Sequence, residues 1–307
     1  MAQEECRDNM VKFNHVIHDI YRLETPAGGV WSGIILVDGV KKILIDSGEN
    51  AGNIDEILIP ALADLGYQIT DIDYLCNTHC HGDHVGGHKR IVELGHPKVV
   101  AYEKSVPKIR DPLKYSKLIR ATFPEHSPAA PTVLEGVEPN LVMEDGDLLA
   151  DRLMLIATPG HDDDTICYYD TMSKTLISGD SLQGNGTLTQ GTALYMDVDD
   201  YRSSLQRVQS IDIENIISAH PYGISGDIAI GYTDVKEYMS RCYQVTVMYE
   251  DYIRKQIAQG ETNPVNIAKG LIQFMGNQEP AKLFLPLYTV TAHIRKFGAK
   301  SSYADDI

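Results

Sequence analysis

The sequence feature that most restricts the fold is the segment HCHGDH at residues 79–84, which holds three histidines and an aspartate. The apolar residues 72–78 before it predict a buried strand, and residues 85–94 after it predict a helix. The segment is therefore expected on a strand-to-helix loop, where α/β folds carry their chemistry. Imidazole and carboxylate groups bind Zn²⁺ and related divalent ions, and the close spacing favours two ions over one.

Three further candidate ligands lie at strand ends that are followed by small or polar residues. His161 lies in TPGHDDD, Asp180 in LISGDSL and His220 in ISAHP. Taken alone, each is compatible with an ordinary loop or core position. Residues 72–81 and 213–221 share one layout, a buried strand with a histidine at its carboxyl end, which indicates a pseudo-duplicated sandwich. Together with residues 79–84, the three candidates His161, Asp180 and His220 make five histidines and two aspartates, the complement of a dinuclear site.

The remaining pattern mixes strands and helices along the chain. Residues 31–46 predict a hairpin with Asp38-Gly39 as its turn, and residues 53–65 have helical spacing. Further strands are predicted at residues 15–23, 99–102, 141–143, 152–158, 165–170, 175–178 and 214–219, and further helices at 113–121, 197–208, 235–259, 264–275 and 285–297. We therefore predict a catalytic domain over residues 1–232 and a helical region over residues 233–307, with residues 301–307 as a frayed end.

Charge and composition exclude several classes of protein. The 43 acidic and 27 basic residues give a formal net charge of -16, which disfavours nucleic acid as a partner. No stretch reaches the about 18 apolar residues of a membrane span, and the first residues lack the apolar core of a signal peptide, so we expect no membrane partner. The five cysteines have no regular spacing, so we expect reduced thiols and a cytoplasmic location.

The motif resembles that of the metallo-β-lactamase superfamily, whose members share HxHxDH followed by a distant His, Asp and His in that order. The resemblance extends over residues 16–222, roughly two thirds of the chain, and includes the opening IILVDGVKKILIDSGEN. It implies an α/β fold of the αββα sandwich type with the metals at one edge, here followed by a C-terminal helical appendage.

The resemblance also implies a role for each candidate ligand. The first metal would be held by His79, His81 and His161, and the second metal by Asp83, His84 and His220. Asp180 would bridge the two metals. The ions are expected to be zinc, with iron or manganese as alternatives, because this ligand set accepts all three.

The presence of both Asp83 and Asp180 makes the chain similar to the glyoxalase II and lactonase branches of the superfamily. True β-lactamases generally lack an acidic residue at the bridging position. Flavodiiron proteins have a glutamate where this chain has His81, and the nuclease branches carry added domains that are not found here. Basic residues such as Arg254 and Arg295 are scattered, which disfavours glutathione as the substrate carrier.

The predicted function is a dinuclear metal-dependent hydrolase that uses a metal-bridging hydroxide on a small acyl ester, thioester or lactone. Two alternatives stay open: a hydrolase of a small phosphodiester, and a metal-containing regulatory protein that binds a ligand without turnover. Either Tyr195 or Tyr222 is a candidate for orienting the substrate or protonating the leaving group, although most tyrosines have packing roles. The predicted partner is a small molecule.

Three segments are expected to select the substrate. They are the proline-rich residues 104–139 as a lid, the glycine-containing loop at residues 184–196, and the C-terminal helices. A homodimer interface is the alternative role for these helices. The acidic run at residues 162–164 is either a solvated turn or an acceptor for a ligand imidazole.

Overall fold

Two β-sheets packed face to face form the centre of the fold. The computed structural model describes residues 11–222 and 226–299. The first sheet contains, in sequential order, β1 (Asn14–Ile17), β2 (Ile20–Ala27), β3 (Val30–Asp38), β4 (Lys42–Ile45), β5 (Tyr74–Cys76), β6 (Lys98–Tyr102) and β7 (Leu141–Met143). The second sheet contains, in spatial order, β13 (Ile228–Ile230), β12 (Asn215–Ser218), β11 (Thr175–Gly179), β10 (Ile166–Asp170), β9 (Leu153–Ala157) and β8 (Leu148–Leu149).

Helices flank both sheets. Next to the first sheet, a π-helical segment (Asn53–Leu58) continues as α1 (Ile59–Asp64), and α2 (Gly82–Val85) and α3 (His88–Gly95) follow β5. The proline-rich segment contains α4 (Val106–Arg110) and α5 (Pro112–Ala121). The second sheet is accompanied by α6 (Val198–Gln209), α7 (Tyr232–Ala258), α8 (Pro264–Phe274) and α9 (Phe284–Lys296).

Alternation along the strands creates the layers, because successive side chains point to opposite faces of a sheet. In β3, Ile35 and Val37 join the cluster between the sheets, together with Leu155 of the second sheet. The intervening Ile34 and Leu36 pack instead with the helices beside the first sheet. The two faces of one strand therefore belong to two different cores.

The second sheet is built in the same way. Ile177 and Ile217 face the first sheet, whereas Leu176 and Ile216 pack with the C-terminal helices. The predicted αββα sandwich with C-terminal helices is confirmed. The domain boundary between residues 232 and 233 stays a prediction.

Parallel strand pairs lie near the middle of each sheet. In the first sheet β4 runs parallel to β5, with Ile45 opposite Cys76, and in the second β11 runs parallel to β12, with Gly179 opposite Ser218. Each pair leads into an aspartate after one strand and a histidine after the other, which matches the predicted duplicated layout. The carboxyl ends of these strands thus deliver polar side chains to one edge of the sandwich.

The structure corrects three local predictions. Residues 15–23 form two strands rather than one, because His18 adopts a left-handed backbone with φ of 50° and turns the chain. The end of the 79–84 segment lies in α2 and not in a loop. The strands β8 and β13 were not predicted, since two or three residues are too few for an alternating pattern.

The described cysteines are all buried, and none of them forms a disulfide: Cys76, Cys80, Cys167 and Cys242. Cys6 and residues 301–307 lie outside the described residues. Within the described ranges, no helix combines the length and the apolar character that a membrane crossing requires.

Candidate metal centre

All predicted ligands come together at the edge of the sandwich. Short connections after strands position most of them, and the turn between β9 and β10 supplies His161. Three groups of these residues lie close enough to share a metal ion: His79, His81 and His161; His79, His84 and Asp180; and Asp83, His84 and His220. Distant parts of the chain therefore meet in one cluster, with His84 Nε2 beside His220 Nε2 across 136 positions.

The first group consists of three imidazoles. His161 Nε2 lies 3.2 Å from His79 Nε2 and 3.1 Å from His81 Nδ1. Nitrogen ligands at about 2.0–2.1 Å from a tetrahedral zinc ion are separated from one another by about 3.4 Å. The three nitrogens are therefore spaced as ligands of a single ion.

The second group combines two imidazoles and a carboxylate. His84 Nε2 lies 3.2 Å from His220 Nε2, and His220 Nε2 lies 3.2 Å from Asp83 Oδ2. The distance from His84 Nε2 to the same Asp83 oxygen is 3.7 Å. These three atoms define a second position that a divalent ion could occupy.

Asp180 lies between the two groups. Its Oδ2 atom is 3.6 Å from His161 Nε2 in the first group. Its Oδ1 atom is 3.6 Å from His84 Nε2 and 3.5 Å from His220 Nε2 in the second group. Oδ1 is buried and has no hydrogen-bond partner within the described part of the chain. One carboxylate oxygen therefore faces each group, as a bridging ligand requires.

Hydrogen bonds at the far nitrogens of the imidazoles leave the near nitrogens as metal donors. His220 Nδ1–H donates to Trp31 O at 2.6 Å, whereas His161 Nδ1 lies 2.9 Å from Leu194 O and 2.8 Å from Gln183 Nε2. Because a carbonyl oxygen can only accept, Nδ1 of a neutral His220 carries the hydrogen and its Nε2 carries a lone pair. Buried lone pairs that face one another repel unless a cation lies between them. The residues present therefore fit a metal site.

The charges of the two groups differ. Burial and the neighbouring imidazoles hold the pKa of His79 well below its ordinary value, and burial together with His161 lowers the pKa of His81 to about 3. Burial also opposes protonation of His84, but the carboxylates of Asp83, Asp46 and Asp180 outweigh it and raise this pKa to about 10. The second group thus attracts positive charge, and a metal binding there would displace protons.

Asp46 orients histidines of both groups. Its buried carboxylate accepts hydrogen bonds from His84 Nδ1 at 2.8 Å, Thr78 N at 2.7 Å and Thr78 Oγ1 at 2.9 Å. Thr78 Oγ1 is in turn 3.2 Å from His79 Nδ1. Asp46 is not among the predicted site residues, although its position directly after β4 mirrors that of Asp180 after β11. Partners of this kind hold metal ligands in the correct tautomer.

Comparison with known proteins assigns the family. The family model described as "Metallo-beta-lactamase superfamily" matches residues 25–220. The chain belongs to this superfamily. The predicted resemblance is thereby confirmed, and the superfamily motif residues 79–84, His161, Asp180 and His220 all lie within the matched range.

Among curated proteins, this superfamily member is 31% identical over 191 residues to "Beta-lactamase-like protein 2 homolog" of Caenorhabditis elegans, covering 61% of this chain and 54% of the relative. It is 28% identical over 245 residues to "Hydroxyacylglutathione hydrolase" of Gloeobacter violaceus, covering 75% of this chain and 83% of the relative. The matched region spans little more than half the length of the first curated relatives.

A solved structure shows the same superfamily fold. The metallo-beta-lactamase family protein from Thermus thermophilus superimposes with a TM-score of 0.70 at 19% identity, covering 92% of this chain and 95% of that chain. Because 92% of the chain is covered, the likeness in fold extends beyond the motif-bearing region that ends at His220.

The metal groups open into a cavity of about 600 Å³. Its wall contains Asp83, Asp180 and His220, together with residues from all three segments that were predicted to select the substrate. These residues include Pro131, Val133 and Leu134 of the proline-rich segment, Leu194 and Met196 of the 184–196 loop, and Phe284 and Leu285 of α9. The metal groups therefore lie beside a largely apolar cavity.

The two tyrosines that were predicted to be catalytic do not line this cavity. Tyr195 is buried against Tyr201, and its hydroxyl is 2.8 Å from His293 Nε2 of α9. This contact joins the 184–196 loop to the C-terminal helices instead of the metal groups. Tyr222 lies closer to them: burial and the neighbouring Asp180 carboxylate raise the pKa of its phenol well above the ordinary value. The Tyr222 ring also lies edge-on to that of His220, with centroids 5.7 Å apart. Tyr222 thus packs beside the candidate ligands, whereas the contacts described for Tyr195 are with Tyr201 and His293.

The acidic run at residues 162–164 is only partly solvated, because Asp162 and Asp164 are buried and Asp163 is exposed. Lys108 Nζ binds all three carboxylates, at 2.7 Å to Asp162, 2.5 Å to Asp163 and 2.8 Å to Asp164. Asp162 Oδ2 also lies 3.6 Å from His81 Nε2, and Tyr115 donates a hydrogen bond to it. Lys108 on α4 thus stabilises the turn that carries Asp162, which lies beside the candidate ligand His81. The sequence pattern alone did not reveal this contact of Lys108.

Proposed function

We propose that this chain is a dinuclear metal-dependent hydrolase of a small acyl ester, thioester or lactone, with zinc as the metal. The observation that carries the proposal is the position of Asp180, whose two oxygens face different ligand groups at 3.5–3.6 Å. The superfamily assignment and the name of the hydroxyacylglutathione hydrolase relative support hydrolysis of an acyl compound.

Under this proposal, His79, His81 and His161 would hold one ion and Asp83, His84 and His220 the other, with Asp180 between the two groups. Bound there, divalent ions would supply an activated water and polarisation of the carbonyl group. The chain itself supplies orientation. Asp46 holds His84 and, through Thr78, His79 in the ligating tautomer.

The apolar wall of the cavity supports an acyl substrate. Leu134, Leu194 and Phe284 line the same cavity as Asp180. Such a wall stabilises a hydrocarbon acyl chain by removing it from water, at about 25 cal/mol per Å² of apolar surface. A volume of about 600 Å³ suits a small molecule, which is the partner that we propose.

Metal content tests the assignment of ligands. Elemental analysis of the purified protein should find close to two divalent ions per chain, and an Asp180→Ala variant should contain clearly less. The matched control is Asp251→Ala, which removes an exposed carboxylate on α7 and should leave the content unchanged. Equal metal content in all three proteins would contradict the bridging role of Asp180.

A panel of chromogenic substrates tests the reaction. We expect turnover of acyl esters, thioesters or lactones by the metal-loaded protein, and loss of that turnover in Asp180→Ala. Turnover of small phosphodiesters alone would replace the proposed bond type. Tight binding of a metabolite with no turnover of either substrate class would instead favour a regulatory role.

A further inference from the structure

The described lining of the cavity contains a single lysine or arginine, Arg120 near the carboxyl end of α5. Tyr115, Ser116 and Ile119 of the same helix also line the cavity. Residues four apart share one face of a helix, so Tyr115 with Ile119, and Ser116 with Arg120, present one continuous surface to the chamber. A positive charge therefore stands in the wall of an otherwise mostly apolar chamber.

The Arg120 side chain is held in place without being neutralised. Its Nη1 donates to Ser116 O at 3.0 Å and to Ser116 Oγ at 2.5 Å, one helical turn earlier. Its guanidinium carbon lies 5.8 Å from the ring centroid of Phe284 on α9. Within the described residues, no carboxylate oxygen comes within 4.0 Å of a guanidinium nitrogen of Arg120, and its buried Nε has no hydrogen-bond partner. Arg120 is fixed in position but lacks a counterion.

The nearest acidic groups do not fill that role. Burial lowers the pKa of Arg120. The charges of Asp83 and Glu49 act in the opposite direction, but their effect is smaller than that of burial. Asp83 belongs to the second ligand group, and Glu49 lines the same cavity, where burial and Asp83 raise the pKa of its carboxyl group. Because no described carboxylate pairs with Arg120, an anion that enters the cavity would supply the acceptor that this guanidinium lacks.

We propose that Arg120 binds one anionic group of the substrate, so that the enzyme prefers acyl esters or thioesters that carry a single carboxylate or phosphate. This inference rests on the proposed hydrolase function and specifies its substrate class. Both anions offer the oxygen acceptors that a guanidinium binds. The anion lies away from the reacting bond: water still cleaves the acyl bond, giving a carboxylic acid and the alcohol or thiol.

Paired substrates test the preference. Mono-4-nitrophenyl esters of adipic and suberic acid are compared with 4-nitrophenyl hexanoate and octanoate, which have acyl chains of equal length and no charge. A 4-nitrophenyl hexanoate with a terminal phosphate distinguishes the two anion types. The metal-loaded wild-type protein should prefer at least one anionic ester over its neutral partner by about tenfold or more in kcat/KM.

Substitution of Arg120 should remove that preference. Arg120→Met should lower kcat/KM for the anionic ester by about 10- to 100-fold, mainly through KM, and change the neutral ester by less than about twofold. Arg120→Lys should restore part of the loss because it keeps the charge. Arg110→Met is the matched control, since Arg110 is exposed on α4 and paired with Glu138. Equal losses for charged and neutral esters would overturn the proposal and show a packing role against Phe284.

A binding measurement separates this inference from the proposed reaction. Isothermal titration of metal-loaded protein with N-methyladipamic acid, which has an amide in place of the ester, should give an affinity that falls at least about tenfold in Arg120→Met, whereas neutral N,N′-dimethyladipamide should respond little. If N-methyladipamic acid binds wild type and variant equally, its carboxylate is held elsewhere and the inference is wrong. If its binding depends on Arg120 but no acyl ester is hydrolysed, the anion site stands and the hydrolase proposal fails.

Discussion

At the residue scale, the geometry of the metal centre depends on what each imidazole contacts on its far side. Asp46 orients two histidines: it binds His84 directly, and it contacts His79 through Thr78. We expect Asp46→Asn to weaken metal affinity by about 10- to 100-fold, because the amide can donate to His84 Nδ1 and stabilise the wrong tautomer. Competition with a chromogenic chelator measures the affinity.

The control for this substitution is Asp73→Asn. Asp73 makes a surface ion pair with Lys41 at 2.7 Å, far from the ligand groups, so the metal affinity of this variant should equal that of the wild type. If Asp46→Asn also binds metal with wild-type affinity, the fold orients His84 without help from this carboxylate.

Tyr195 shows at the same scale how contacts separate a structural role from a catalytic one. Its hydroxyl hydrogen-bonds His293 inside the protein and does not face the cavity. Tyr195→Phe should therefore lower the free energy of unfolding by about 1 kcal/mol and leave kcat unchanged. Urea denaturation and steady-state kinetics measure the two quantities. A large fall in kcat at unchanged stability would restore the catalytic role predicted from the sequence.

At the element scale, long periodic segments could be predicted and short or irregular ones could not. The helix predicted over residues 264–275 is found at Pro264–Phe274, since Asn263 caps it and the apolar residues repeat at helical spacing. The candidate ligands could also be predicted, because three histidines and an aspartate within residues 79–84 stand out and the resemblance adds His161, Asp180 and His220. Lys108 and Arg120 could not, since their roles depend on residues brought near by tertiary folding.

Also at the element scale, Lys108 on α4 connects the proline-rich segment at residues 104–139 to the turn that follows β9. It contacts the buried Asp162 and Asp164, and its ammonium lies 4.3 Å from the ring centroid of Tyr115. Lys108→Met leaves these carboxylates without a cation, which should cost about 3–5 kcal/mol of unfolding free energy at pH 8. Arg110→Met, which removes an exposed partner of Glu138, should cost less than about 1 kcal/mol.

The loss in Lys108→Met should shrink at lower pH. In the wild type, burial and Asp162 already raise the pKa of Asp164 to about 6, while Lys108 opposes this rise. Without Lys108 the folded-state pKa rises further above the unfolded value, so the folded protein binds more protons. Its stability then falls as pH increases through that range. Urea denaturation at pH 5 and pH 8 tests this; an equal loss at both values would show that charge is not the cause.

At the scale of the whole molecule, the metal centre joins the two halves of the sandwich. Residues 79–84 follow β5 of the first sheet, whereas Asp180 and His220 follow β11 and β12 of the second. The sheets also meet beside the site through backbone hydrogen bonds from Gly33 N to Ala219 O and from Ile166 N to Thr78 O. An ion bound here would therefore stabilise the packing of both halves at once.

Removal of metal should consequently lower the stability of the whole chain. At a free metal concentration about 100 times the dissociation constant, binding adds about 2.7 kcal/mol, which corresponds to a rise in Tm of about 5–10 °C for a domain of this size. Chelation should lower Tm by that amount, and added Zn²⁺ should restore it. Asp180→Ala should show a smaller difference between the metal-loaded and chelated forms, because one carboxylate no longer links the two ligand groups. Identical Tm values with and without metal in the wild type would mean that these residues hold no ion in the folded protein.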